Sequence, residues 1–165
     1  MIKKISFLIS FLLSVLFISV FSAFSEKSSN IIFPERYRNW THTKTMLIFD
    51  KKHPLYNSFG GLHHIYVNKK ALEPNKKGGK YPDDSKIAFV LYEAKESNGA
   101  YEAGKMKFVA LMVKNAKNFA DTGGWGFQVF KSGSKEGSVK DGKKECFECH
   151  SSQKNNDYIF SKYIE

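Results

Sequence analysis

The chain has 165 residues, with 26 Lys and Arg against 16 Asp and Glu, a net charge of +10 and two cysteines. That length holds one domain with a short appendage, and 42% hydrophobic with 25% charged residues is a globular rather than a disordered composition. Two cysteines exclude a disulfide-rich scaffold and a four-cysteine zinc ribbon, while the positive charge points to an anionic partner or surface without selecting nucleic acid, membrane or acidic protein.

Lys3 and Lys4 precede an apolar run from Ile5 to Phe21, and Ala23-Phe24-Ser25 puts small residues where a signal peptidase reads. The pattern predicts a secretory signal peptide over residues 1–25, cut before Glu26. An uncleaved anchor is the alternative, but the run falls short of the roughly 20 residues a spanning helix needs. Without residues 1–25 and their two lysines, the mature chain 26–165 has 140 residues and a net charge of +8, enough for one core. The mature protein is expected outside the cytoplasm, in a compartment that permits disulfides.

Glu26 to Asn30 reads as a polar, frayed start. Phe33 to Trp40 suggests a short helix with Pro34 in its first turn, and Thr41 to Phe49, rich in Thr and aliphatics, suggests a strand. Pro54, Asn57, Gly60 and Gly61 make Lys51 to Gly61 a loop. His64 to Val67 is a compact strand. Asn68 to Lys77 starts a helix that Pro74 is expected to interrupt, and Gly78-Gly79 and Tyr81 to Asp84 supply turns. Ile87 to Tyr92 and Met106 to Val113 are the strongest strand candidates, with Glu93 to Gly104 as a polar connection between them. Asn115 to Ala120 reads as one or two helical turns, Trp125 to Phe130 as a strand, and Lys131 to Lys144 as a mobile Gly-, Ser- and Lys-rich loop. From Cys146 the chain reads as helical and then extended. The expected architecture is α+β, mostly β: an antiparallel sheet of about five strands with short helices.

Both cysteines lie in Cys146-Phe147-Glu148-Cys149-His150. C-x-x-C-H is the attachment motif of haem c. Two thiols at this spacing reach the two vinyl groups along one haem edge, and the next residue places its imidazole under the iron. A thioredoxin-type dithiol needs a βαβ setting that the flanks lack, zinc needs two further ligands, and a plain disulfide leaves the adjacent His150 unexplained. Export fits too, because haem c is attached outside the cytoplasm.

The motif lies near the C-terminus of a strand-rich domain, unlike the small helical cytochromes c. Ahead of it come Tyr37-Arg38-Asn39-Trp40, His64-Ile65-Tyr66-Val67-Asn68, Tyr81-Pro82-Asp83, Met112-Val113-Lys114-Asn115-Ala116-Lys117 and Gly124-Trp125-Gly126-Phe127, and after it Asp157-Tyr158-Ile159-Phe160. In this ordered set the chain resembles the cytochrome P460 family, which includes the cytochromes c′-β. The resemblance implies a mostly antiparallel sheet, a homodimer, one haem with a proximal histidine, which falls on His150, and an open distal position; the motif makes it one covalent haem c, and the export signal predicts a periplasmic location. It also implies one of two activities. The hydroxylamine-oxidising members carry a lysine cross-linked to the haem and a distal acid. The c′-β members lack the cross-link, bind nitric oxide and carbon monoxide, and cap an apolar distal pocket with phenylalanines.

Carried onto this chain, the cross-linking position falls on Phe89 and the distal acid on Ala110, while Phe59 and Phe89 match the two capping positions. Lys86 is an odd number of residues from Phe89 on the same strand and is expected on the opposite face. Lys76 and Lys77 sit near a turn, as solvated charges. The leading expectation is therefore a cytochrome that binds nitric oxide and carbon monoxide, bound dioxygen being the ligand that most needs a distal donor. A hydroxylamine-oxidising enzyme and an electron-transfer cytochrome are the alternatives. A sixth protein ligand would come from His42, His53, His63, His64, Met46, Met106 or Met112, with Met112 read as core. The lysines of 69–80 and 131–144 read mainly as a solvated face, with docking to an acidic redox partner or anionic membrane surface as the functional reading. Nucleic acid is not expected as a partner of an exported haem protein.

Overall fold

The computed structural model describes residues 31–165, so the expected signal peptide lies outside the described residues. Five strands form one antiparallel sheet in chain order: β1 (Thr41–Ile48), β2 (Gly61–Val67), β3 (Lys86–Ser97), β4 (Ala100–Lys114) and β5 (Trp125–Lys131). Each strand pairs with its sequence neighbour, so every crossing is a local one. Two helices interrupt the meander, α1 (Tyr56–Phe59) and α2 (Lys69–Lys77). A helical segment follows the sheet: a π turn at Lys143–Phe147, α3 (Glu148–His150) and a 3-10 stretch at Ser151–Asn156. The architecture is the expected mostly β one, with five strands and a few short helices.

The boundaries differ from expectation in instructive ways. The polar stretch Glu93 to Gly104 is not a connection but the outer half of β3 and β4, which pair up to Ser97 and Ala100. The turn is only Asn98-Gly99, both at positive φ (52° and 78°), the backbone that suits a tight hairpin. Pro74 does not stop α2: it removes one internal donor, while Asn68 Oδ1 accepts from Ala71 N (3.1 Å) and from Lys86 N (3.0 Å), anchoring the helix start to β3. The helix expected at Phe33 to Trp40 shortens to a 3-10 turn at Tyr37–Asn39. At Asn115 to Ala120 the Asn115 side chain accepts from Asn118 N (2.8 Å) and makes a turn instead of a helix. The 131–144 loop is tied back to β5 by a bridge between Phe130 and Gly137 and by Gln128 Oε1, which accepts from Val139 N (2.7 Å).

Strand alternation divides the side chains between two faces. One face carries Tyr37, Ala88, Val90, Val109, Leu111 and Phe130. The other carries Ile65, Val67, Ile87, Trp125 and Phe127, closed at one end by Ala71, Tyr81 and Ile159. Burying a large apolar side chain of this kind contributes roughly 1.5–3 kcal/mol. On the second face the register lines up two rows across the sheet, Val67-Ile87-Met112-Phe127 and Ile65-Phe89-Ala110-Val129.

The C-terminal segment meets this face through a close approach at Gly123. Its φ is +63°, and a Cβ there would lie 2.1 Å from the Tyr158 ring. Gly123→Ala is therefore expected to lower stability by roughly 2–4 kcal/mol, combining left-handed strain with overpacking. A denaturant melt matching that of the parent would contradict this.

Candidate functional site

The site is built where the helical segment crosses the second face. Asp141 opens that segment: its Oδ1 accepts from Lys143 N (3.1 Å) and Lys144 N (3.2 Å), in the manner of a helix cap. These backbone donors and Lys144 hold its carboxyl below the usual range. Cys146 is half-buried and packs with Phe147 and Tyr158 against the core, whereas Cys149 is exposed; both thiols are free. Burial pushes the Cys146 thiol up to about 11, with smaller contributions from Glu145 and Cys149. A redox-active dithiol needs the opposite shift. Among the described residues no three His, Cys, Asp or Glu are grouped to hold a metal ion.

His150 Nδ1 bonds to the Tyr158 carbonyl (2.8 Å). The carbonyl can only accept, so Nδ1 carries the hydrogen and Nε2 keeps a free lone pair in the neutral ring. Burial lowers the His150 pKa, partly opposed by the Tyr158 bond, so the neutral form prevails near pH 7. An imidazole held by one nitrogen with the other bare has the tautomer a metal ligand needs. Its ring lies 5.1 Å from Phe127 and 5.0 Å from Phe160.

The Tyr158 carbonyl is held in place by a buried ion pair. Asp157 and Tyr158 both have positive φ (47° and 69°), which is unfavourable for residues with a Cβ. Lys114 Nζ, at the end of β4, donates to both Asp157 oxygens (3.0 and 2.9 Å) and to the Gly123 carbonyl (3.0 Å). Asp157 also accepts from Tyr81 N (2.9 Å), and its own carbonyl accepts from Trp125 Nε1 (2.8 Å). The two charged side chains are 9% and 8% exposed. Lys114 and Asp157 were not singled out as site residues from the sequence. The nearest signal was their presence in two of the quoted motifs, which says nothing of their pairing.

Phe59, Phe89 and Ala110 lie together. Phe89 of β3 is directly opposite Ala110 of β4, and the Phe59 ring at the end of α1 lies 5.8 Å from Phe89. Phe108 joins them, 5.9 Å from Phe89 and 6.4 Å from Phe59; sequence reading had missed it, although its strand alternates with Ala110. Lys86 pairs with Val113, on the face opposite Phe89. Lys77 pairs with Glu73 (2.9 Å), and Lys76 lies over the Tyr163 ring, both at the end of α2. Of the candidate iron ligands, His42 and His64 cluster on the other face with Tyr66 and Tyr92 in tilted and edge-to-face contacts. Met106 lies there too, under Tyr37, while His53 and Met46 are exposed. His63 and Met112 share the face of Phe89.

The model of the family described as Cytochrome P460 matches residues 34–161. The chain belongs to the cytochrome P460 family. No curated protein matches the sequence. Family membership makes this a haem-binding cytochrome, and the residues present fit that group. Phe59, Phe89, Phe108, Ala110, Met112 and Phe147 are only half-buried, although Phe89, Ala110 and Met112 belong to the middle strands. They form an apolar surface suited to a flat apolar ligand. His150 offers its bare nitrogen beside that surface.

Proposed function

We propose that this protein is an exported, periplasmic cytochrome of the c′-β kind. In this reading Cys146 and Cys149 hold one haem c covalently, His150 is its axial ligand, and the face lined by Phe59, Phe89 and Ala110 binds nitric oxide and carbon monoxide. The observation that carries the reading is the direct pairing of Phe89 with Ala110 under the Phe59 ring. The positions onto which the resemblance carries the lysine and the acid of hydroxylamine-oxidising members are here an aromatic ring and a methyl group. When bound, the haem supplies an iron that takes diatomic ligands.

The protein's own residues do the rest. His150, oriented by the Tyr158 carbonyl, presents Nε2 as ligand. The three phenylalanine rings exclude water and offer no donor to a bound diatomic. Lys140, Lys143, Lys144 and Lys154 are exposed on the segment that carries the exposed Cys149, which supports docking of an acidic redox protein there. A homodimer is part of the same reading.

An absorption spectrum of the reduced protein, with and without carbon monoxide, tests the proposal. A five-coordinate ferrous spectrum converted by carbon monoxide is the expected result. Six-coordinate iron indifferent to carbon monoxide would point to an electron carrier, and a strongly red-shifted Soret band would mean a cross-linked haem. Phe89→Ala should open the face and speed carbon monoxide association on the order of tenfold. An unchanged rate removes Phe89 from the ligand path.

A further inference from the structure

His42, Thr45 and His64 form a cluster on the sheet face away from the phenylalanine rings. Two residues three positions apart on a regular strand point to opposite sides. The register of β1 on β2 slips between His42 and Lys44, and the extra residue, Thr43, is 2% exposed. Thr43 Oγ1 donates to the Ile65 carbonyl (3.4 Å), and the Thr43 carbonyl accepts from Ile164 N (3.1 Å). Such a bulge re-aims a side chain. Here it puts His42 on the same side as Thr45 and the cross-strand partner of Thr45, His64. Two ring nitrogens then meet at one oxygen: Thr45 Oγ1 lies 3.0 Å from His42 Nε2 and 3.1 Å from His64 Nδ1. The hydroxyl has one hydrogen, so it can donate to only one of the two rings. Tyr66 packs edge-on against His42 and Tyr92 against His64, with ring centres 5.4 Å apart in each pair.

We propose that His42 Nε2 and His64 Nδ1 form a binding site for a late first-row divalent ion, copper or zinc, with the Thr45 hydroxyl and water completing its coordination. Imidazole nitrogen suits these ions, and copper is the tighter binder of the two. With metal–nitrogen bonds of about 2.1 Å and ~1.1 Å more to each ring centre, two imidazoles on one ion have centres roughly 4.5–6.4 Å apart. The ring centres of His42 and His64 are 5.6 Å apart, inside that span. No third His, Cys, Asp or Glu joins the pair among the described residues, so magnesium and calcium, which need oxygen ligands, find no carboxylates there. Burial lowers the His64 pKa, and the charges of His42 and Arg38 add to it, so its ring is neutral near pH 7 and has a lone pair to give. The Arg38 guanidinium is turned away to the Tyr92 hydroxyl (2.9 Å) and the Tyr37 ring. The site lies across the sheet from His150 and does not depend on the haem reading.

Equilibrium dialysis of the haem-loaded protein against divalent copper and, separately, zinc tests this by counting the ion bound per chain. The parent should bind one equivalent of either, copper more tightly, with no competition from excess magnesium. His42→Ala, at an exposed position, should weaken copper binding at least about tenfold, because one of two imidazoles is lost. His64→Gln should do the same. Both variants should keep the parent's Soret spectrum, since neither ring touches the face of Phe89. His53→Ala removes an exposed imidazole outside the cluster and should leave copper affinity within about twofold of the parent. A parent that takes up neither ion would overturn the proposal, as would His42→Ala and His64→Gln variants that hold copper as tightly as the parent. A loss in His53→Ala equal to that in His42→Ala would overturn it too, by placing the ion elsewhere.

Discussion

Asp157→Ala is expected to cost about 3–5 kcal/mol of folding stability, because it strands the Lys114 ammonium in a site where both partners are almost fully buried. Three further losses follow from the same carboxylate. Tyr81 N loses its acceptor. The chain at 157–158 loses the contacts that hold two consecutive residues at positive φ. The Tyr158 carbonyl is then free to drift from His150 Nδ1. The readouts are a denaturant melt and the reduction potential of the holoprotein. If His150 is the axial ligand, as proposed, the potential should move positive, because a weaker bond to Nδ1 would make the imidazole a poorer donor to ferric iron. Lys114→Met combined with Asp157→Asn should restore most of the stability: no charge is left unpaired, Asn tolerates positive φ, and its side-chain oxygen still accepts from Tyr81 N. A single Asp157→Ala variant as stable as the parent would show that the pair contributes nothing.

The second large effect concerns attachment. Removing both thiols, as Cys146→Ala with Cys149→Ala, should abolish haem retention through denaturing electrophoresis and release all of it to acid–acetone extraction. Either single variant should retain haem through the remaining thioether. Haem that stays with the chain in the double variant would mean another covalent link and would contradict the c-type reading. The double variant should also unfold more readily, since Phe147 and Tyr158 pack beside Cys146 against the core and the half-buried rings of the same face would lose a covalently tethered cover.

Much of this was legible along the chain because it is local. Alternation at Met106 to Val113 marks a half-buried strand in any context. Cys146, Cys149 and His150 stand within five residues, so one motif carries the proposed attachment chemistry. The odd offset of Lys86 from Phe89 was enough to assign them to opposite faces, since side-chain direction alternates strictly along a strand. The length of the β3–β4 hairpin was misjudged although its signal was present: Asn98-Gly99 is the tight-turn pair, and the polar residues beside it describe strand ends outside the core rather than a loop.

Interactions over a few residues were enough for the mostly β class, for most of the strands and for the grouping of two thiols and an imidazole on which the proposed haem attachment rests. Tertiary structure alone decided which distant groups meet. Lys114 and Asp157 are 43 positions apart, and nothing in either neighbourhood announces that one will neutralise the other. His63 differs from His64 by one position, yet sheet register sends one into the phenylalanine cluster and the other to the opposite face. Burial, pairing and the orientation of a lone pair depend on what the fold brings alongside, and those contacts exist only once the five strands are in register.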